Sequence, residues 1–128
     1  MASAIIIRPN GVVELIEVTL KYPGLNSLFG EGSLVQRVAL PRLTDRFGTE
    51  DPYPIMIVDE ESLLKDVPRN ENATRLYVPA PYRDRHMIAG DALIIGEGMT
   101  SEGPDFVTLP ERVTVEAIKE LIEMFEYH

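Results

Sequence analysis

Two segments of the chain carry clear hydrophobic periodicity. Ala4-Ile5-Ile6-Ile7-Arg8 is a β-branched run. Val12-Val13-Glu14-Leu15-Ile16-Glu17-Val18 mixes β-branched and charged positions. Both read as strands. Pro9-Asn10-Gly11 lies between them, and Asn-Gly tolerates the positive φ angles of a tight hairpin turn. At the other end of the chain, Val115, Ile118, Leu121, Ile122 and Phe125 fall on one helical face, with Glu116, Lys119, Glu120 and Glu123 on the other. Thr114 is placed to cap that helix, and Val113 and Ile118 stand at the two positions of a hydrophobic staple. A helix with this stripe must lie on something apolar, most simply a sheet face.

Between these ends the pattern is weaker. Pro23 and Gly24 break the second strand, and Leu25 to Phe29 reads as a short helix ended by Gly30 and Gly32. Leu34 to Leu40 reads as a third strand, and Thr44 to Pro54 as a loop, since Gly48, Pro52 and Pro54 sit there among charges. Ile55 to Val58 is a short buried strand, and Asp59-Glu60-Glu61 turns the chain outward. Pro68 to Tyr77 is a loop entering a short helix, with Asn70 as its N-cap, stopped by Pro79 and Pro81. Asp91 to Ile95 is a strand ended by Gly96 and Gly98, whose glycines suit a turn. Phe106 to Leu109 is the last strand, halted by Pro110. The expected fold is α+β, one small domain over residues 1–128. Its mostly antiparallel or mixed sheet has five to six strands, begins with the N-terminal hairpin and carries the C-terminal amphipathic helix on one face.

Composition narrows the function classes. At 128 residues the chain is long enough to bury a core without staples. The absence of cysteine excludes a disulfide framework, thiolate metal sites and thiol catalysis, and fits a reducing cytoplasm. No apolar run is long enough to span a membrane, and no signal peptide is visible. The expected location is therefore cytoplasmic. The net charge of −9 has the wrong sign for non-specific nucleic-acid binding. The acidity is uneven: from Glu97 onward there are eight acidic residues against Arg112 and Lys119. Such a distribution suits a solvated helix face, or an acidic docking surface for a basic partner.

Several segments resemble, in order along the chain, a bacterial and bacteriophage family catalogued as domain of unknown function 3846. They are Ile5-Ile6-Ile7-Arg8-Pro9-Asn10-Gly11, Met56-Ile57-Val58-Asp59-Glu60-Glu61, Pro68-Arg69-Asn70-Glu71-Asn72-Ala73-Thr74-Arg75-Leu76-Tyr77, Ile88-Ala89-Gly90-Asp91-Ala92-Leu93-Ile94-Ile95-Gly96, and Phe106 to Phe125. Thr44 to Pro54 and Val78 to Arg85 depart from it. The family brings no established activity or catalytic residues. What the resemblance implies is a setting, an accessory gene of a phage or mobile element.

Chemistry is thinly signalled. His86, near Asp84 and Asp91, has the ingredients of a general base, but no nucleophile motif accompanies it, and a surface or capping histidine is the simpler reading. Asp59-Glu60-Glu61 and the Gly96 to Asp105 segment lack calcium-loop spacing, so no metal and no cofactor are expected. The densest recognition chemistry lies between residues 69 and 86. Arg69, Arg75, Arg83 and Arg85 stand there with Asn70, Thr74, Tyr77 and His86 in an otherwise acidic chain. Arginine forks and tyrosines suit carboxylates, phosphates or protein surfaces. The expectation is a non-catalytic binding module, monomeric or homodimeric, whose partner is a host or phage protein. A small-molecule or nucleotide binder using residues 69–86 is the alternative, and a hydrolase using His86 is a more distant one.

Overall fold

A computed structural model describes residues 2–20, 35–38, 40–59, 66–77 and 87–126. Six strands and three helices occur among them: β1 (Ala2–Ile7), β2 (Val13–Val18), β3 (Val35–Val38), α1 (Pro41–Phe47), β4 (Tyr53–Asp59), α2 (Glu71–Tyr77), β5 (Ala92–Thr100), β6 (Gly103–Val107) and α3 (Val115–Met124). The fold is α+β, and the strands form one antiparallel sheet in the order β2-β1-β5-β4-β3, with β6 also on β5. The expected helix over 25–29, the prolines at 79 and 81, and His128 lie outside the described residues.

β5 organises the sheet. One edge pairs with β4 from Ala92 to Glu97. The other edge is divided: Ala92 to Ile94 pair with β1, and Gly96 to Thr100 pair with β6. The two tenants are joined where they meet, because Leu109 N–H donates to Ser3 O at 2.9 Å and Ser3 N–H donates to Thr108 Oγ1 at 2.9 Å.

Strand alternation sorts the apolar side chains onto two faces. Ile5, Ile7, Met56, Val58, Ala92 and Ile94 join the buried residues of all three helices in one core. Ile6, Ile55, Ile57, Leu93 and Ile95 form a second buried cluster on the opposite face, with no residue of the described helices in it. The C-terminal helix therefore covers one face, as its stripe predicts. Ile118, Leu121 and Ile122 are buried, while Phe125 sits just past the helix end and is partly buried. Thr114 accepts from Ala117 N–H at 3.1 Å, and both staple residues, Val113 and Ile118, are buried. Thr114→Ala should cost about 1 kcal/mol in urea unfolding without changing the native sheet.

The hairpin turn lies where it is expected, and two other local readings need correction. The Pro9-Asn10-Gly11 connection is a three-residue loop, closed by Arg8 N–H to Val12 O at 2.9 Å and Gly11 N–H to Arg8 O at 3.0 Å. Pro9 suits the first corner of a type I turn, so only Gly11 carries a positive φ, at 95°. Residues 44–54 are not one loop. Pro41 opens α1, and Leu43 and Phe47, one turn apart, bury themselves in the core. Pro54 belongs to β4, beyond the Met56–Asp59 stretch that β3 pairs, so no described strand on that edge needs its missing N–H. Asp59 ends β4 and is buried, and Glu60 and Glu61 of the expected outward turn lie outside the described residues. Finally, Gly96 and Gly98 lie inside β5. A Cβ on Gly96 would stand 2.4 Å from Thr108 O, and one on Gly98 would stand 2.2 Å from Asp51 Oδ1. Close approach, not a turn, explains both glycines.

Arginines tie the helices and loops together. Arg42 on α1 donates to Arg75 O near the end of α2 at 2.7 Å, and its guanidinium stacks 3.8 Å from the centroid of the Phe125 ring. Arg112 donates to Phe47 O and Pro52 O at 2.9 Å each, holding the α1–β4 connection.

Candidate functional site

The recognition residues expected between 69 and 86 take two different places. Asn70 is fully buried and caps α2, its Oδ1 accepting from Ala73 N–H at 3.1 Å. Its Nδ2 donates to Ile7 O and to Gly90 O, both at 2.8 Å. Thr74 is buried one turn later, donating to Asn70 O at 2.8 Å and accepting from Ile88 N–H at 2.9 Å. These two side chains spend their hydrogen-bonding capacity joining α2 to β1 and to the 88–90 segment. Arg75 is half-buried and donates to Asn72 Oδ1 at 3.3 Å. Arg69 and Tyr77 are exposed near the two ends of α2. Arg83, Arg85 and His86 lie outside the described residues.

A cluster not anticipated from the sequence crosses the sheet face opposite the helices. Arg37 on β3 makes a bidentate pair with Glu97 on β5, and the Tyr53 hydroxyl donates to the same carboxylate. The Arg37 guanidinium, aided by the Tyr53 hydroxyl, holds the Glu97 carboxyl below its usual range against the opposing effect of burial. Every Glu97 oxygen is thereby engaged, which describes a structural cross-strand tie. A depressed carboxylate pKa contributes stability above the unfolded pKa, and loses it as pH falls through the folded one. Arg37→Leu removes that contribution and leaves Glu97 in a site that burial makes unfavourable for its charge. Urea unfolding should therefore show the variant well below the parent at pH 7, with the gap narrowing below about pH 4.5.

A third arrangement is open. Between β2 and the start of α3 runs a groove of about 510 Å³. Leu109 and Val113 form its buried base, and Leu15, Pro110 and Val115 add apolar wall, with Ser3 and Thr114 beside them. Glu111 and Glu116 contribute its charges, and among the described residues its lining holds no cation. Leu15 stands at the mouth with 60% of its surface exposed, although its register partner Ile5 is completely buried. Glu17 is two residues further along β2, on the same face, and is exposed. The sequence signal for this site is faint: in β2 the alternation breaks at Leu15-Ile16, where apolar residues point to both faces between Glu14 and Glu17.

Among the described residues, no three His, Asp or Glu side chains are grouped to hold a metal ion. No helix among them is long and apolar enough to cross a membrane. Searches of protein-family models, curated proteins and solved structures found no match to this chain.

Proposed function

We propose that this chain is a small, acidic, non-catalytic binding module that docks on another protein through the groove between β2 and α3. The observation that carries the reading is Leu15. A large aliphatic side chain, largely exposed, stands at the mouth of an apolar groove in a fold whose neighbouring strand is buried. Covering such a side chain on association contributes about 1–2 kcal/mol, the weight of a typical interface anchor. The charge around it is acidic, as is the chain, which favours a basic partner and steers its approach. The resemblance described above supports a phage or mobile-element setting. In that setting the module modulates a host or phage protein in the host cytoplasm.

Arg69 and Tyr77 support a second reading, in which the surface around α2 and the following segment binds a small molecule, a nucleotide or the protein partner. Site-specific photo-cross-linking in lysate of the natural host separates the two. A photoreactive residue at position 15 should give one protein adduct that excess unlabelled protein competes away, while position 36 on the far edge of the sheet gives none. An adduct from position 77 and none from position 15 would move the docking surface to α2. Adducts from neither would reject both protein-docking surfaces.

A further inference from the structure

Among the described strands β2 is the last on its side of the sheet, and its exposure follows the edge rather than a face. Glu14 and Leu15 point to opposite faces, yet both are exposed. The phase of the β1–β2 ladder shows which backbone groups are open. Arg8 N–H bonds to Val12 O, so residues 8 and 12 form a hydrogen-bonded pair. Antiparallel pairs alternate between bonded and non-bonded. In the observed register, Glu14, Ile16 and Val18 turn their N–H and C=O groups toward β1, and Val13, Leu15 and Glu17 turn theirs outward. No described residue bonds to those outward groups. The residue whose side chain stands at the groove mouth is thus also the centre of a backbone edge that is open among the described residues.

We infer that the partner segment binds as an added antiparallel strand on β2, with an apolar residue opposite Leu15 and basic residues two positions to either side. Main-chain bonds to Val13, Leu15 and Glu17 supply the affinity of such an addition, and alternate side chains supply its specificity. Side chains opposite Leu15 and two residues away stand on Leu15's face, at the groove, while those between them point to the other face. The apolar position follows from Leu15, Val115 and Pro110, the basic ones from Glu17, Glu111 and Glu116. The positive end of α3 opposes a cation only weakly. It amounts to about half a charge, and Thr114 already caps one of its N–H groups. Lys119, the one cation on α3, lies a turn further on. A second copy of this chain is the poorer occupant, since each carries a net charge of −9.

This inference rests on the groove being the docking surface, and its test separates the two claims. The probe is the end-capped peptide Thr-Lys-Thr-Leu-Thr-Lys-Thr, titrated into isotope-labelled full-length protein at low salt and followed by NMR. Binding with a Kd below about 1 mM is expected, with the largest shifts at Val13, Leu15, Glu17 and Val115. N-methylating the central leucine removes the N–H aimed at β2 and should weaken binding at least about tenfold. N-methylating the adjacent threonines, whose N–H groups face away, should change it by less than about twofold. Replacing both lysines by glutamate should abolish binding. Equal binding of the two N-methylated peptides would overturn strand addition while leaving groove docking intact. Shifts confined to another surface would overturn both claims. Failure of the parent peptide to bind, or a dimer in sedimentation that Leu15→Arg dissolves, would overturn the basic-strand assignment.

Discussion

Asn70→Ala will cost about 4 kcal/mol of unfolding free energy, a large share of what a domain of this size possesses. The side chain is completely buried and serves three backbone groups at once: the carbonyls of Ile7 and Gly90, and the N–H of Ala73. Truncation takes this partner from all three, two of them in buried bonds and that of Gly90 in a part-buried one, and an unsatisfied buried group costs about 1–3 kcal/mol. Loss of the N-cap falls within the same sum. Asn70→Asp is the sharper experiment. Aspartate is as good a helix cap as asparagine in general, but here its second oxygen would face two carbonyl oxygens that now receive N–H donors. The carboxylate should be forced toward its protonated form, raising its folded pKa. A raised pKa makes the folded state bind a proton the unfolded state has released, so stability should increase as pH falls. Urea midpoints for Asn70→Asp should rise between pH 7.5 and pH 5, while Asn70→Ala stays below the parent by a constant gap over the same range. Parallel behaviour of the two variants would contradict the hydrogen-bond assignment.

Gly96→Ala should cost about 3 kcal/mol, despite adding a single methyl to a strand, where alanine normally outperforms glycine by about 0.5–1 kcal/mol. The new Cβ would stand 2.4 Å from Thr108 O and 3.0 Å from Val107 O. Both obstacles are backbone, so relief requires moving the chain after β6. That chain also carries the links to Ser3, so the junction between β1 and β6 should loosen with it. Hydrogen exchange at Leu109 should accelerate in the variant more than exchange at Ile57, which lies on the other side of β5. Gly98→Ala is the milder control: its nearest obstacle is the end of the Asp51 side chain, which can rotate away at the expense of its bond from Met99 N–H.

What was legible in the sequence was what nearest neighbours determine. The first hairpin and the last helix announce themselves by period and by caps that lie within a few residues of what they cap. α1 was hidden because seven residues offer only Leu43 and Phe47 as a stripe, and the glycine and prolines after it outweighed them. Gly96 and Gly98 suit a turn in sequence because a glycine that admits a distant group looks the same there as one that bends its own chain. The same distinction governs the site. Asn70 and Thr74 carry the polar groups of recognition residues, and the local sequence does predict the Asn70 cap. The carbonyls of Ile7 and Gly90 that occupy the rest of Asn70 are tertiary partners that no local pattern reveals. Leu15 is silent in the sequence for the converse reason: whether a strand residue is exposed depends on strand order, and nothing within β2 says that it lies at the edge.

The division of one edge of β5 between β1 and β6 also dictates the order in which this sheet can come into being. The β1–β2 ladder and the β3–β4 ladder are both complete in the chain before Ala92 emerges from a ribosome, yet no ladder pairs them directly. They must persist as separate, marginal pieces, since two-stranded units seldom hold alone in water. When β5 arrives it joins Ile5 to Ile94 and Ile94 to Met56 across long intervening stretches of chain. Closing such distant contacts late places folding on the slow side for a chain of this length, in milliseconds to seconds rather than microseconds. Nascent chains arrested ahead of β5 should be protease-sensitive and prone to associate, and those that include β6 and α3 should not.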